Sequence, residues 1–286
     1  MIDERAARPG SSVEVQIVAI EDGVPAKRFD RVATEEPLEI RVRAGGASRT
    51  VAITMRTPGN DFELAAGFLY NEGVLANAAA LRGLSYCLDG SVSEDQQYNV
   101  VNADLAAGEL PALDALERHF TMTSACGVCG RAQLEALESR GIAPLADGVR
   151  SDARTVVALP ERLRAAQGVF EKTGGLHAAG LFALDGTPIA VREDVGRHNA
   201  LDKLVGWALL QKRLPLGGCV LLVSGRTSYE IVQKALVARI PIVCGVSAPS
   251  SLAVDVARRF GMTLAGFVRG ARFNVYAGEE RIERAG

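Results

Sequence analysis

Apolar and polar residues trade places along the first sixty positions as on half-buried strands. Val13, Val15, Ile17 and Val18 open the pattern, and "PLEIRVRAG" (37–45) and "SRTVAITMRTPG" (48–59) continue it. A small sheet is therefore expected first. From Asp61 the period lengthens: "DFELAAGFLYNEGVL" sets Leu64, Phe68 and Leu69 on one helical face, with Asn60 or Asp61 as cap and Gly73 as stop. A strand at 98–101 and a helix in "RAQLEALESRG", closed by Gly141, complete this portion.

The stretch "APLADGVRS" (143–151) reads as a linker, and beyond it the pattern becomes regular. Helix "PERLRAAQGVFEKTGG", a hairpin of "HAAGLFAL" and "PIAVREDV" turning at Asp185-Gly186, and helix "HNALDKLVGWALLQK" come first. Strand "CVLLVSG", helix "SYEIVQKALVARI", strand "IPIVCGVS", helix "SLAVDVARRFG" and strand "TLAGFV" follow. Near-continuous apolar strands alternating with helices predict a mixed sheet of about five strands covered on both faces. That order matches the three-layer cytidine-deaminase layout, giving an α/β (α+β overall) chain with a smaller α+β portion at 1–147 and a deaminase-like, cofactor-binding domain at 148–286.

Deamination itself is rejected. Such enzymes need a zinc-binding His-x-Glu and a Pro-Cys-x-x-Cys at two helix starts. Here those positions read His198-Asn199-Ala200 and Gly225-Arg226-Thr227-Ser228-Tyr229. Neither the proton-shuttling glutamate nor the thiolate ligands remain, so no metal-activated water is expected there.

With 286 residues, 48% hydrophobic and 23% charged, the chain is an ordinary globular protein with room for two domains. A formal net charge of -2 gives no bulk attraction to nucleic acid or an anionic membrane, so any anion site is local. The start "MIDERAARPG" has no apolar signal core, and the apolar run near 219–223 is far shorter than the roughly 20 residues a bilayer requires. A cytoplasmic protein with reduced thiols is the expectation, five scattered cysteines being no disulfide framework.

Two of those thiols stand apart. In "SACGVCG" (124–130), Cys126 and Cys129 lie three positions apart between glycines, just before a helix. A structural zinc would need two more ligands, and Cys87, Cys219, Cys244 and three histidines offer no second close pair, so no metal is expected. Cys219 and Cys244, in apolar strands, read instead as core thiols. A helix N-terminus lowers a thiol pKa, which suits a disulfide exchanger. A thiolate on a glycine-rich loop equally suits a sulfur carrier, accepting a sulfur atom as a persulfide. The chemistry leaves both open.

Charged and small residues recur at the predicted strand ends. "REDVGRHN" carries Arg192, Glu193, Asp194, Arg197 and His198, either a solvated cap network or a ligand cleft at the carboxyl ends of the strands. "SGRTS" adds Gly225 and Arg226, and "GVSAPSS" adds Ser247 and Ser250, whose hydroxyls and amides suit an oxyanion or a base. The last strand runs into "FVRGAR" (Phe267, Val268, Arg269, Gly270, Ala271, Arg272), two arginines around a flexible backbone. Together these turns predict a phosphate-bearing ligand, with the last segment clamping a nucleotide diphosphate.

The pieces "TPGNDFELAAGFLYNEGV", "SACGVCG", "TGGLHAAGLF", "REDVGRHNALDKLVG", "SGRTSYEIVQKA", "SAPSSLAV" and "FVRGARFNVY" resemble the FdhD sulfur carriers needed for active formate dehydrogenase, over residues 57–276. The resemblance implies a sulfurtransferase reaction: a cysteine desulfurase passes sulfur to the CxxC loop, and the carrier delivers it to the molybdenum (or tungsten) bis(molybdopterin guanine dinucleotide) cofactor before insertion into the formate dehydrogenase catalytic subunit. It implies Cys126 as the persulfide-bearing thiol, Cys129 as assisting it or sharing the load, and residues 267–272 as the cofactor-binding stretch. Roles for His177, His198 and Arg226 are our own reading. A ligand with two guanine halves also makes a homodimer the expected assembly.

Overall fold

The computed structural model describes residues 10–87, 94–111, 135 and 137–284. The Cys126/Cys129 pair lies outside the described residues. The chain opens with a hairpin, β1 (Ser12–Glu21) and β2 (Val24–Ala33), which forms its own two-stranded sheet. β3 (Glu36–Ala44) and β4 (Ala47–Arg56) pair antiparallel, and the helix read from the 3.6 period follows as α1 (Asp61–Asn71). β5 (Leu81–Tyr86) and β6 (Val100–Leu105) complete a sheet in the order β4-β3-β6-β5. In β3 the period-2 pattern holds: Leu38, Ile40, Val42 and Ala44 are buried. The strand expected at 98–101 begins at Val100, because Glu94–Asn99 forms a 3-10 turn first.

The remainder follows the expected order of helix, hairpin, and then helices alternating with strands. After a short β7 (Ser151–Asp152) come α2 (Ala153–Ala165), α3 (Gly168–Thr173), β8 (His177–Ala183), β9 (Pro188–Asp194) and α4 (Arg197–Leu210). Next are β10 (Cys219–Val223), α5 (Tyr229–Val237), β11 (Ile242–Gly245), α6 (Ser251–Arg259) and β12 (Thr263–Arg269). β13 (Arg272–Ala277) and β14 (Ile282–Glu283) end the fold. No described helix is long and apolar enough to cross a membrane.

The central sheet has six strands, β13-β12-β11-β10-β8-β9, rather than about five. The extra strand is β13, whose polar "RFNVYA" hides its period because it is an edge strand with half of its side chains exposed. The helix expected at 160–175 is two helices. Its first begins earlier, where Asp152 accepts the Arg154 amide at 2.6 Å as N-cap, and Pro160 sits inside it rather than at its start.

Three layers result. Ala179, Leu181, Leu221, Val223, Val243 and Leu264 pack toward α4, α5 and α6. Ala178, Phe182, Val220, Leu222, Ile242, Cys244 and Ala265 pack with Val156, Leu159 and Leu163 of α2. Burial on both faces explains why β10 and β11 read as unbroken apolar runs, each large side chain contributing about 1.5–3 kcal/mol. Cys244 is one of these core thiols, and burial pushes it up to about 12; half-buried Cys219 is also raised, by burial.

Helix α1 fastens the first sheet to this core, and both of its sides are buried. Leu64 and Leu69 join Leu38, Ile40 and Val101 in a second cluster that also takes in Leu209 of α4. On its other side Gly67 meets Gly206 of α4: a Cβ on Gly67 would overlap the Asp202 carbonyl and stand 2.7 Å from the Gly206 nitrogen. Asn60, expected as a cap, instead takes a left-handed conformation (φ 58°) and its side chain caps nothing. Asp61 turns to Arg56 (3.2 Å) and the Tyr86 hydroxyl (3.1 Å), while Gly73 (φ 82°) closes the helix as expected. The stretch 143–151 runs along the central domain, with Arg239 donating to the Ala143 and Pro144 carbonyls and Arg281 to that of Ala146 at 3.0 Å.

Candidate functional site

Parallel strands β10, β11 and β12 all end at one edge of the sheet, where antiparallel β8 begins and β9 ends. The topology therefore gathers the charged and small-residue turns singled out above at one edge; the CxxC loop lies outside the described residues. Across the edge lie Asp194–Arg197, then His177, Ser224–Ser228, Val246–Ser250 and Phe267–Arg272. At about 4.8 Å per strand, the ends of β10 and β12 are roughly 10 Å apart, the scale of a nucleotide. Three helices, α4, α5 and α6, also start here and point their free amides at the edge.

Backbone bonds stitch the turns together. The Thr227 amide donates to the Ala248 carbonyl at 3.2 Å, and the Ser250 amide donates to that of Thr227 at 3.0 Å. The Phe267 amide donates to the Ser247 carbonyl at 3.1 Å. Ser224 accepts the Ala178 amide on its hydroxyl (2.9 Å), tying the β10 turn to β8. The approaches at two glycines are close, and the one at Gly245 excludes a side chain. A Cβ on Gly225 would press on His177 Nδ1 at 3.3 Å and stand 3.7 Å from Arg197 Cδ, and one on Gly245 would overlap Thr227 Oγ1.

Two polar groups at this edge are buried without a protein partner among the described residues: Arg197 Nε and Thr227 Oγ1. Unmade hydrogen bonds of this kind cost about 1–3 kcal/mol each; Asn71 Oδ1, Gln167 Nε2 and Arg281 Nε are likewise unpartnered elsewhere, and at this edge the two groups are open to completion by a ligand. Both are suited to a phosphate or ribose oxygen, a guanidinium N–H as donor and a hydroxyl as either donor or acceptor.

The remaining site residues divide. His198 faces Ser228 (Nε2 to Oγ 3.3 Å) and Glu230 (3.8 Å). Burial and then the Arg197 charge hold both His198 and His177 below the ordinary imidazole value, so they are neutral near pH 7. Ser250 caps α6 by accepting the Ala253 amide at 3.3 Å, the plainer of its two readings. Ser228, at the corresponding place on α5, caps nothing and bonds His198 instead. Gly225 and Ser247 are half-buried and Arg226 is exposed.

The segment Phe267–Arg272 is not a flexible loop. Arg269 pairs with Arg272 across a two-residue turn with Gly270 at φ 57°, and β12 and β13 hold the strands. Val268 is buried in the core; Arg269, Gly270, Ala271 and Arg272 are exposed, and the Arg269 guanidinium lies 5.4 Å over the Phe267 ring. Phe267 itself has φ 54°, a left-handed conformation unusual for an aromatic residue and held by its bond to Ser247.

The charges of "REDVGRHNALDK" are neither a solvated network nor, for most of them, a ligand cleft. Asp194 is fully buried and accepts from Lys203 Nζ (2.6 Å), the Thr57 and Gly196 amides (3.1 and 2.8 Å) and Asn199 (3.1 Å). Glu193 accepts the Val169 and Phe170 amides at the start of α3. Arg192 forks onto Glu63 of α1 at 2.5 and 2.8 Å. The sequence therefore missed Asp194, Lys203 and Thr57 as the brace that fixes the turn bearing Arg197. It also missed Thr227, whose burial depends on the approach of Gly245 from a neighbouring turn.

The FdhD/NarQ family model matches residues 33–283. The chain is 52% identical to the sulfur carrier protein FdhD of Streptomyces avermitilis over 269 residues, 93% of this chain and 94% of that one. It is 44% identical to its Sulfolobus acidocaldarius counterpart over 274 residues, 94% and 98% of the two chains. A crystal structure of a candidate formate dehydrogenase accessory protein from Desulfotalea psychrophila superposes with TM-score 0.72 at 26% identity, covering 95% of this chain and 99% of that one. With a match of this extent in both sequence and fold, the chain belongs to the FdhD/NarQ family.

Proposed function

We propose that the protein is a sulfurtransferase that takes sulfur from a cysteine desulfurase onto Cys126 and delivers it to a bis(molybdopterin guanine dinucleotide) cofactor destined for formate dehydrogenase. The cofactor is the substrate rather than a resident group. One observation carries the reading: a chain of this family holds two unpartnered buried polar groups, Arg197 Nε and Thr227 Oγ1, where helix starts and arginine turns converge.

In the first step the Cys126 thiolate attacks the terminal sulfur of the desulfurase persulfide. A new S–S bond forms on Cys126, the old one breaks, and the desulfurase thiolate leaves. In the second, the Cys129 thiolate attacks the inner sulfur of the Cys126 persulfide. A Cys126–Cys129 disulfide forms, two electrons pass to the outer sulfur, and it departs as sulfide for the cofactor. An external thiol then reduces the disulfide. Arg197, Thr227 and the α4–α6 amides would orient guanine-nucleotide oxygens, with Arg269 and Arg272 screening phosphate charge at the rim. Dimerisation would give two such edges for the two guanine halves.

The test is to incubate the protein with a cysteine desulfurase and cysteine and weigh the intact chain. One added sulfur, lost in Cys126→Ala, is expected. An unchanged mass alongside turnover of a disulfide substrate would replace the reading with thiol–disulfide exchange; guanine-nucleotide binding without either activity would leave a cofactor-binding chaperone.

A further inference from the structure

A cavity of 540 Å³ opens where α1 and α5 both end, away from the turns described above. Each helix starts beside those turns: Thr57, just ahead of α1, bonds Asp194, and Ser228, just ahead of α5, bonds His198. At 1.5 Å per residue the two helices carry the chain roughly 13–16 Å from that edge. The cavity is therefore separate from the nucleotide edge. Its volume falls within the roughly 300–1,000 Å³ of small-molecule sites.

Its walls are apolar and its charge is of one sign. Tyr70, Leu75, Ile142, Leu236 and Val237 supply the walls, Arg140 and Arg239 the charge, and no carboxylate lines it among the described residues. Arg140 lies across bare Gly73, where a Cβ would stand 3.1 Å from Nη2, and donates to the Asn71 carbonyl at 2.8 Å. Arg239 follows the last turn of α5 at φ 64°, a left-handed conformation that glycine adopts more easily, and donates to the Ala143 and Pro144 carbonyls.

Such carbonyl bonds are the plain structural role of an arginine near a helix end. They use one N–H of five on Arg140 and two of five on Arg239, and neither guanidinium meets a carboxylate among the described residues. Tyr70 stands between them. Its hydroxyl makes one long bond, to the Val237 carbonyl at 3.4 Å; burial raises the phenol, and the charges of Arg140 and Arg239 both oppose that rise. Two guanidiniums around one hydroxyl match the two charges of a phosphate monoester better than the single charge of a carboxylate.

We propose that this cavity binds a phosphate monoester with a compact, planar apolar body, its phosphate held by Arg140 and Arg239 and its body against Tyr70 and Ile142. Isothermal titration calorimetry of the full chain with phenyl phosphate is expected to give a Kd below about 1 mM. Benzoate lacks the second charge and inorganic phosphate lacks the ring, so each is expected to bind at least about tenfold more weakly. Arg140→Gln/Arg239→Gln is expected to weaken phenyl phosphate at least about tenfold with an unchanged circular dichroism spectrum. Ala76→Trp, which fills the cavity from an exposed position and leaves both charges in place, is expected to do the same. Arg197→Ala, at the other edge, leaves binding intact. Absence of binding, or benzoate or inorganic phosphate binding as tightly as phenyl phosphate, overturns the proposal. So does phenyl phosphate binding that survives Ala76→Trp but is lost in Arg197→Ala, which would put the probe at the nucleotide edge.

Discussion

Replacing Lys203 by methionine keeps the length of the side chain and removes its charge. Lys203 is 1% exposed and its ammonium touches the Asp194 carboxylate at 2.6 Å, the Thr57 carbonyl at 2.8 Å and the Glu193 carbonyl at 3.3 Å. Asp194, with no water contact, would keep its Thr57, Gly196 and Asn199 donors and lose its only countercharge among the described residues. Breaking a buried pair from one side costs about 3–5 kcal/mol. In a protein of this size that corresponds to a melting midpoint lowered by roughly 10 °C. Calorimetry on wild type, Lys203→Met, Asp194→Asn and the double variant measures it. The double variant should recover at least about 1 kcal/mol relative to the sum of the singles, because no lone charge is left buried. A drop of under 2 °C in Lys203→Met, or strict additivity, would refute the view that this pair braces the Arg197 turn.

Other outcomes follow from the same contacts. Gly67→Ala or Gly206→Ala forces α1 and α4 apart against backbone atoms and should cost at least 2–3 kcal/mol (order of magnitude), whereas Gly217→Ala, with open space around it, should be near neutral in a denaturant titration. Thr227→Val removes an unpaired buried hydroxyl and should raise stability by about 1 kcal/mol while weakening guanosine diphosphate binding about tenfold by calorimetry; equal binding would remove Thr227 from the site. His177 and His198 have folded pKa values below their ordinary ~6.5, so the unfolded chain binds more protons in that window. Their stabilisation is full above about pH 6.5 and is lost as pH falls below it. Melting midpoints between pH 7.5 and 5 should decline, and His177→Gln/His198→Gln should flatten the slope; an unchanged slope would contradict the assignment.

The regular half of the chain was legible because strands buried on both faces, such as "CVLLV", admit few readings, and the glycines after them mark turns. The gathering of the turns at one edge also followed from the alternation of strand and helix. What stayed hidden depends on distant partners. Asp194 and Lys203 look like surface charges until α1 brings Thr57 against them. Thr227 looks like a cap neighbour until Gly245 closes over it. Residues 267–272 looked flexible because glycine between arginines suits both a loop and a tight hairpin, and only the pairing of β13 decides. β2 was missed because its bases interrupt the alternation while the strand remains exposed.

The most direct test follows labelled sulfur. Protein loaded through a desulfurase is mixed with the bis(guanine dinucleotide) cofactor, and label on protein and cofactor is measured over time for wild type and Arg197→Ala. The prediction is that label moves to the cofactor, that Arg197→Ala loads normally, and that its transfer is slowed about tenfold, the loss of a charge-assisted contact. Label that never reaches the cofactor, or an Arg197→Ala protein that transfers at the wild-type rate, would contradict it.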